Sequence, residues 1–366
     1  MRLLVLQTVF STVILSSVSK AASFDELASR ASAAREANNI PQALDLYKQA
    51  LQLNPKWEEG WWFEGSLLYD GDHYAEGQQA LAHVVELDPK AGPAWGLLGL
   101  CEFETGVYDR ALSDINRSLE IGTGMEPQME SVLRFHQAVL LTRSGEFDKA
   151  IEAYRWFVGK AIQNPQVING IGLAALRSPQ LPQDIAADQQ SLYTIAGKAG
   201  YLTMAGDYLH AEEALQELLQ QFPNAHYVHY MQGCFLLGAN PEIAIQELRR
   251  ELEVTPESAA ASAMLAWALL ERGDSAAALP YAEKAAHEQP NFEVAQYVFG
   301  RSLAEQGQVQ PGIEHLEIAE KIDPANVQPH ISLATAYSKA GRPRDARRER
   351  VKAIALAREK GPVAQP

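Results

Sequence analysis

The sequence predicts an all-α solenoid, and three observations in its C-terminal half support that fold class. Prolines recur at a fixed distance, since Pro256, Pro290 and Pro324 are separated by 34 and 34 residues. Each interval holds two runs of apolar residues with helical periodicity. A glycine, Gly273 or Gly307, separates the two runs. A period of about 34 residues with two short helices is the signature of helical repeats that stack in sequence.

The same period extends over most of the 366 residues. The predicted repeat units are residues 24–55, 56–89, 90–122, 126–165, 191–223, 224–256, 257–290, 291–324 and 325–360. The period breaks in between, where Pro179 and Pro182 lie too close together for a helix to continue. This break is interpreted as a degenerate unit or hinge, and a tolerated insertion explains it equally well. The predicted organisation is an N-terminal array of about four repeats, the degenerate segment, a C-terminal array of about five repeats and a frayed tail: residues 24–165, 166–190, 191–360 and 361–366.

Local signals mark the turn inside each unit and the start of its second helix. A glycine at the turn is expected to adopt a left-handed backbone conformation, and Gly71 with Asp72 takes that place in the second unit. Asp207 and Asp274 each follow such a glycine and are expected to cap the second helix. In the fourth unit, residues 126–165, the second helix is expected to be longer than the period allows.

The first 21 residues are expected to be a signal peptide rather than part of the fold. Arg2 precedes a mostly apolar stretch at residues 3–18, and Ser19 and Ala21 are small residues at the positions that a signal peptidase reads. Cleavage near Ala21 predicts export, with the periplasm as the expected compartment. The alternative is an uncleaved membrane anchor, although the apolar run is shorter than the roughly 20 residues that a spanning helix needs.

The charge distribution is strongly asymmetric. The formal net charge is −15, and removal of Arg2 and Lys20 with the signal peptide leaves −17. Residues 342–360 carry eight basic and three acidic side chains, a net of +5, so the body of the chain is near −22. An acidic body argues against nucleic acid as a partner and favours solubility or a basic partner. The basic last helix either caps the array with a polar surface or contacts anionic lipid or an acidic protein.

No constellation of residues predicts a metal, a cofactor or catalysis. His226 and His229 are three residues apart on a predicted helix, but a third ligand is missing, so they are interpreted as ordinary helix residues. Cys101 and Cys234 lie four repeats apart, too far for a disulfide, and are interpreted as small buried apolar side chains. The sequence also lacks a nucleophile motif and a phosphate-binding loop.

Several repeats share a fuller pattern, in which a large residue precedes Leu-Gly or Gly, and Ala and Pro follow. The residues that carry it are Trp95, Leu98, Gly99 and Ala111, then Gly65, Leu81 and Pro89, then Phe299, Gly300, Ala319 and Pro324. This pattern resembles the tetratricopeptide repeat (TPR) family over nearly all of residues 24–359. Residues 170–223 also resemble a stretch of exported bacterial TPR proteins of no established activity. The resemblance implies a right-handed α-solenoid of helix-turn-helix repeats whose first helices line a concave groove.

The resemblance also implies which side chains face that groove. The candidate partner-binding residues are Trp62, Tyr69, Phe103, Phe135, Tyr227, Tyr230, Trp267, Tyr297 and Arg301. Rigid aromatic side chains anchor protein and peptide partners. For any one ring, packing against a neighbouring helix is an equal alternative. Arg301 is the only cation among these positions, which argues against a clamp for terminal carboxylates.

Three functional hypotheses remain. The first is a non-catalytic exported scaffold that binds a protein or peptide through the aromatic groove. The alternative is a structural subunit of an envelope assembly complex that uses its convex face. The third, which is disfavoured, is an enzyme or metal protein that uses residues 166–190, where the only acidic residues are Asp184 and Asp188. The identity of the partner, its affinity and the oligomeric state are left open.

Overall fold

A computed structural model describes residues 22–122, 124 and 127–359, and the expected signal peptide and C-terminal tail lie outside this range. The described residues form nineteen α-helices and one 3₁₀ turn, without a β-strand, so the prediction of an all-α solenoid is confirmed. The helices are α1 (Phe24–Glu36), α2 (Ile40–Leu53), α3 (Glu58–Asp70), α4 (Tyr74–Leu87), α5 (Gly92–Glu104), α6 (Tyr108–Ile121), α7 (Pro127–Arg143), α8 (Phe147–Gly159), α9 (Pro165–Ala175), α10 (Gln190–Ala205), α11 (Tyr208–Gln221), α12 (Val228–Leu236), α13 (Pro241–Val254), α14 (Ala259–Glu271), α15 (Ser275–Glu288), α16 (Glu293–Glu305), α17 (Val309–Ile322), α18 (Val327–Lys339) and α19 (Pro343–Glu359).

The chain divides into two compact units between Leu133 and Arg134, within α7. In unit 1, the residues up to Leu133, each helix packs against the next, as α3 does against α4 and α5 against α6. In unit 2, the residues from Arg134 onwards, the same packing pairs α14 with α15 and α16 with α17. First helices of consecutive repeats also touch, as α14 and α16 do. The predicted limits of the two arrays, at residues 165 and 191, stay a prediction.

Glycines at the turns end the first helix of most repeats. Gly106, Gly273 and Gly307 have φ angles of +78°, +84° and +84°, a left-handed conformation that a side chain would strain. The expectation for Gly71 is wrong, because its φ is −95° and the following Asp72 takes the positive value, +59°. Aspartate tolerates this conformation better than most side chains do, so the turn keeps its geometry at a shifted position.

The predicted caps on two second helices are confirmed. The side chain of Asp207 accepts a hydrogen bond from the backbone N–H of His210 at 3.4 Å, and Asp274 accepts one from Ala277 at 3.1 Å. Each bond satisfies one of the N–H groups that a helix start leaves without an intrahelical partner. The expected long helix of the fourth repeat is not present, since α8 has 13 residues and ends at Gly159.

Small residues let the helices of one repeat approach closely. A Cβ atom at Gly300 in α16 would lie 2.7 Å from the carbonyl oxygen of Gly312 in α17. Real Cβ contacts are never so short, so both positions need glycine for this hairpin to close. Leu316 and Val298 are buried beside them in the core of unit 2.

A recurrent hydrogen bond joins a repeat to the proline that ends the preceding repeat. The side chain six residues after the proline lies against the proline carbonyl oxygen. In unit 1 the donor is tryptophan, with Trp61 Nε1 2.9 Å from Pro55 O and Trp95 Nε1 3.1 Å from Pro89 O. In unit 2 the pairs are His229 with Pro223 at 2.9 Å, Gln296 with Pro290 at 2.9 Å and His330 with Pro324 at 3.3 Å. This bond satisfies a carbonyl group next to a helix end and fixes how the next helix begins.

The break in the repeat period contains a helix without a second helix of its own. After α9 the chain forms only a 3₁₀ turn, Pro182–Asp184, and α9 packs directly against α10. The two backbones touch, because a Cβ at Gly172 would lie 1.9 Å from Tyr193 O and one at Gly197 would lie 1.8 Å from Ile168 O. Glycine at both positions therefore allows α9 and α10 to pack more closely than helices with side chains can.

Both cysteines are free thiols, as predicted. Cys101 is buried and Cys234 half-buried, and burial raises the pKa of each thiol to about 12. A thiol with so high a pKa holds little of the reactive thiolate form at neutral pH. Among the described residues, no helix is long and apolar enough to cross a membrane.

Candidate functional site

The first helices of three consecutive repeats in unit 2 form a groove, here called the C-terminal groove. Its cavity volume is about 340 Å³. The lining residues are Glu271 on α14, Tyr297, Arg301, Ala304 and Glu305 on α16, Leu316 on α17, and Gln328, Ile331, Ser332, Thr335, Ala336 and Lys339 on α18. Stacking places one face of each first helix on the same side of the unit, so a groove of this kind follows from the repeat itself.

Arg301 is the most highly connected side chain of the groove. Its guanidinium donates hydrogen bonds to Glu271 on the preceding first helix at 2.6 Å and to Glu305 at 2.9 Å. It also donates to the Tyr297 hydroxyl at 3.2 Å. Burial alone would lower its pKa, but the hydrogen bonds to Glu271, Glu305 and Tyr297 raise it, so Arg301 remains a cation. The groove therefore presents a fixed positive charge between two carboxylates.

Two of the predicted residues, Tyr297 and Arg301, line this groove, and a third, Trp267, lies beside Tyr297 without lining it. The Trp267 ring lies 5.1 Å from the Tyr297 ring, and Tyr297 contacts Arg301 through its hydroxyl. Tyr297 lines the cavity but is only 1% exposed, so its ring belongs mainly to the core. Trp267 is half-buried and packs against the same core. Whether either ring contacts a partner stays a prediction.

Four predicted residues on α3, α5 and α7 do not line the C-terminal groove. Trp62 on α3 is half-buried, and Phe103 on α5 is buried. Three of these side chains pack edge-on against a ring at or inside the second helix of their own repeat. The pairs are Tyr69 with Tyr74 at 5.8 Å, Phe103 with Tyr108 at 5.6 Å, and Phe135 with Phe157 at 6.5 Å between ring centroids. Packing inside the repeat therefore accounts for these contacts.

Tyr227 and Tyr230 lie together at the start of α12, with ring centroids 5.8 Å apart. Tyr227 has a φ of +66°, a strained value for a bulky residue. The buried Glu251 holds this turn, because its carboxylate accepts the backbone N–H of Tyr227 at 2.7 Å and that of Tyr230 at 3.1 Å. Tyr230 also lies beside Arg177, a residue that the sequence pattern did not single out.

Sequence reasoning missed the part of the groove that α18 contributes. Counting 34 residues on from the predicted residues Tyr297 and Arg301 gives Ile331 and Thr335, and both line the cavity. The 34-residue repeat period therefore predicts these groove positions on α18. The charged residues Glu271, Glu305 and Lys339 also line the groove, and they lie at positions that the sequence pattern did not single out.

One group in the described part of the chain has the composition of a metal site. Ligand atoms of Glu320, His330 and Glu349 lie within 4.8 Å of one another. Lys352 already binds both carboxylates, and Arg348 Nε lies 2.8 Å from Glu349. These cations neutralise the charge that would attract a metal, so the group is a buried ion network.

The other histidines considered from the sequence have protein partners. His226 Nδ1 lies 2.8 Å from the Thr255 hydroxyl oxygen, and His229 Nδ1 lies 2.6 Å from Glu247.

Comparison with known proteins gives a repeat-family match over two segments of the chain and one distant relative over a longer part of it. A sequence model of the tetratricopeptide repeat matches residues 63–126 and 238–291. Protein O-mannosyl-transferase TMTC3 from Homo sapiens is 23% identical over 234 residues, which are 60% of this chain and 25% of that protein. The chain thus spans about a quarter of the length of this relative.

Solved structures with similar folds include two TPR proteins. MamA residues 41 to the end, from Desulfovibrio magneticus RS-1, is 21% identical with a TM-score of 0.40, covering 46% of this chain and 97% of that one. YrrB, a TPR protein with an unusual peptide-binding site, is 19% identical with a TM-score of 0.37, covering 46% of this chain and 88% of that one.

The repeat matches fall in both units, and α3 to α6 and α13 to α15 are the helices that they cover. Antiparallel helix pairs joined by short turns occupy most of the remaining described chain. The chain therefore carries tetratricopeptide repeats in both units, and repeats of this kind form protein-interaction scaffolds.

Proposed function

We propose that the protein is a non-catalytic scaffold that binds an extended segment of a partner protein in the C-terminal groove. The observation that carries this proposal is the composition of the groove. It combines an apolar side chain that is 49% exposed, Ile331, with hydroxyl and amide groups on Ser332, Thr335 and Gln328. An extended peptide offers backbone N–H and C=O groups and side chains at regular spacing, which such a lining can satisfy.

The fixed charges of the groove add specificity to this mode of binding. Arg301 is held by Glu271 and Glu305, so its geometry is set before a partner arrives. Lys339 lies at the same groove and donates a hydrogen bond to the carbonyl oxygen of Ala304 at 3.3 Å. A partner segment with both an acidic and a basic side chain suits these alternating charges.

Substitution of the exposed groove residues tests the proposal. Peptides selected from a random library on the immobilised protein are measured by isothermal titration calorimetry against the protein with Ile331→Arg and Thr335→Arg. We expect the affinity to fall at least tenfold, because both changes place a bulky charge in the cavity. The matched control is Leu209→Arg on α11, whose side chain is 68% exposed away from the groove residues. Equal affinities for all variants would refute the groove.

Export is part of the proposal and is tested separately. Residues 1–21 act as a signal peptide, and the mature chain begins near Ala22, directly before α1. Mass spectrometry of the protein recovered from a periplasmic fraction is expected to give a chain that lacks these residues. An intact N-terminus, or recovery with the membrane fraction, would favour the uncleaved anchor.

A second function, assembly through the outer surface, has one observation in its favour. Tyr208 and Leu209 at the start of α11 and Ile243 at the start of α13 are large apolar residues that remain exposed. If Leu209→Arg abolishes capture of a partner while the groove variant retains it, the assembly role replaces the groove. A peptide ligand in the groove predicts the reverse pattern.

A further inference from the structure

Arg177, directly after α9, lies in a box of aromatic rings. Its guanidinium carbon is 5.1 Å from the centroid of Phe147, 5.6 Å from that of Phe292 and 5.8 Å from that of Tyr230. All three distances are within the range over which an aromatic face attracts a cation. The side chain of Arg177 is only 8% exposed, so the rings have replaced most of the water around its charge.

A single carboxylate completes this box. Arg177 donates from its two terminal nitrogens to the two oxygens of Asp148, each at 3.3 Å, and one nitrogen also lies 3.5 Å from the Tyr230 hydroxyl. The paired geometry matches the planar fork of a guanidinium group. Asp148 itself is 61% exposed and its bonds are long, so water reaches the carboxylate side of the box.

The electrostatic surroundings of the box also favour a cation. Glu293 follows Phe292, and its pKa is raised to about 7 by burial, then by Asp323, with a smaller contribution from Asp148. Asp148, the carboxylate that pairs with Arg177, thus also acts on the acidic side chain of Glu293. A cation such as Arg177 suits surroundings that contain acidic groups better than a neutral side chain does.

The box joins elements that the repeat period keeps apart. Phe147 and Asp148 begin α8, Arg177 follows α9, Tyr230 is on α12 and Phe292 precedes α16. Stacking alone brings each repeat against its immediate neighbours. Contacts from α8 to α16 within unit 2 therefore depend on the side chains of the box, with Arg177 at the centre. The backbone of Arg177 has a φ of +50°, a value uncommon for a residue other than glycine.

We propose that Phe147, Asp148, Tyr230 and Phe292 form a binding cage for a guanidinium group, which the chain fills with its own Arg177. The filled cage acts as a clasp that holds the start of α8 to the start of α16. An empty cage accepts a guanidinium from solution or from an arginine side chain of a partner. An alkylammonium binds more weakly, because it lacks the planar fork that pairs with both oxygens of Asp148.

Removal of the internal guanidinium tests the cage directly. The Arg177→Ala protein is titrated with ethylguanidinium chloride and, separately, with ethylammonium chloride at equal ionic strength, and binding is followed by calorimetry. We expect saturable millimolar binding of ethylguanidinium and at least tenfold weaker binding of ethylammonium. The wild-type protein and the double variant Arg177→Ala, Asp148→Asn are expected to bind neither. Equal binding of both ions, or none, by the single variant would refute the cage.

Hydrogen exchange tests the clasp. Exchange at residues 290–296 is expected to rise at least fivefold in Arg177→Ala and to return towards the wild-type rate when ethylguanidinium is added. The matched control is Arg272→Ala, which removes an arginine of unit 2 that forms only surface ion pairs with Glu242 and Asp274. An equal rise in this control would show that the effect is not specific to the box.

A milder variant keeps the test decisive if Arg177→Ala does not fold. Asp148→Asn leaves every ring and the guanidinium in place and removes only the charge of the carboxylate. The rate of exchange at residues 290–296 is still expected to rise in this variant. An unchanged rate would show that Arg177 is an ordinary packed side chain without a clasp.

Discussion

The buried glutamates of the two units differ in how their charge is met. In unit 1, Glu64 and Glu102 are buried, and the Oε2 atom of each has no hydrogen-bond partner in the described structure. Glu102 Oε1 lies 3.2 Å from Arg110 Nε and accepts a longer bond from Gln78. Burial first, and then the charge of Asp114, raises the pKa of Glu102 to about 7. Burial also raises the pKa of Glu64.

In unit 2 the fully buried carboxylates have donors on both oxygens. Glu251 accepts two backbone N–H groups and the hydroxyl of Thr255 at 2.7 Å. Glu349 lies 2.8 Å from His330 and 2.8 Å from Arg348 and also contacts Lys352. Burial alone would raise the pKa of Glu349, but these three partners hold it below the ordinary value.

The difference shows that burial alone does not determine what a glutamate does to a helical repeat. A carboxyl group with too few donors is most stable when protonated, whereas one with several cationic partners is most stable when ionised. Glu288 and Glu293 are exceptions inside unit 2, since burial raises the pKa of each, but both are only half-buried, and Glu293 belongs to the surroundings of the Arg177 box. The same substitution, glutamate to glutamine, should therefore have opposite effects in the two units.

The largest effect is expected for Glu349→Gln. The change leaves Arg348, Lys352 and the buried His330 without their shared carboxylate, and removal of one member of a buried ion network costs about 3 kcal/mol. We expect the free energy of unfolding of unit 2 to fall by about that amount at pH 7. Urea unfolding followed by hydrogen exchange of unit 2 peptides measures it. A loss below about 1 kcal/mol would mean that the network is a surface feature in solution.

Glu102→Gln is expected to stabilise unit 1 at high pH, which is the opposite of the loss expected for Glu349→Gln. The folded state holds the proton of Glu102 up to about pH 7, while the ordinary pKa is 4.5. Because the folded state binds more protons in that window, the stability of unit 1 falls as pH rises from about 4.5 to about 7, by an amount on the order of 2–3 kcal/mol. Glutamine removes the titration, so the variant should be more stable than wild type at pH 8.

The check on this prediction is the slope of the free energy of unfolding against pH in each unit. Hydrogen exchange of unit 1 peptides at pH 5 and pH 8, corrected for intrinsic rates, should show the slope in wild type and its loss in Glu102→Gln. Glu349 contributes the opposite slope to unit 2, since its lowered pKa gives stability that is present above about pH 4.5 and lost as pH falls further. If stability changed with pH in the same direction in both units, the proposed difference between Glu102 and Glu349 would be contradicted.

A smaller effect on stability is expected from removing the side-chain hydrogen bond to the proline carbonyl oxygen, for which the two units use different donors. Unit 1 uses the indole of Trp95 for Pro89, and unit 2 uses Gln296 for Pro290. Trp95→Phe keeps much of the ring and removes the donor, so we expect a loss of about 1 kcal/mol, the net contribution of one hydrogen bond. Gln296→Leu is the counterpart in unit 2, although it also removes the bond to His315 and should cost more. Thermal unfolding of both variants measures which of them loses more stability.

The smallest effect concerns the helix caps. Asp274→Ala removes the cap of α15 in unit 2 and should lower the free energy of unfolding by about 1 kcal/mol. In unit 1, His73 takes the corresponding place before α4 and makes no side-chain cap bond, so His73→Ala should change stability much less. Urea midpoints of the two variants compare them, and equal losses would show that the cap bond contributes nothing.

Much of the fold could be predicted from the sequence because its determinants are local. The 34-residue spacing of prolines, the glycines at turns and the caps at Asp207 and Asp274 each depend on residues a few positions apart. The repeat period also carries positions over to the last repeat, since counting one period on from Tyr297 and Arg301 gives the groove-lining residues Ile331 and Thr335. The packing of Tyr297 and Phe103 was not predictable, because position in a repeat does not say how much of a ring the neighbours cover.

The sequence by itself determined a stack of TPR hairpins, because helix periodicity, small residues and turn residues repeat at an interval that each hairpin obeys independently. Only the tertiary structure decided where charge is stabilised. Arg177 contacts rings that lie more than a hundred residues apart along the chain, Phe147 and Phe292. Glu102 and Glu349 differ through neighbours that three-dimensional packing places beside them. Electrostatic and cation–π interactions act through space, so a pattern along the chain does not encode their partners.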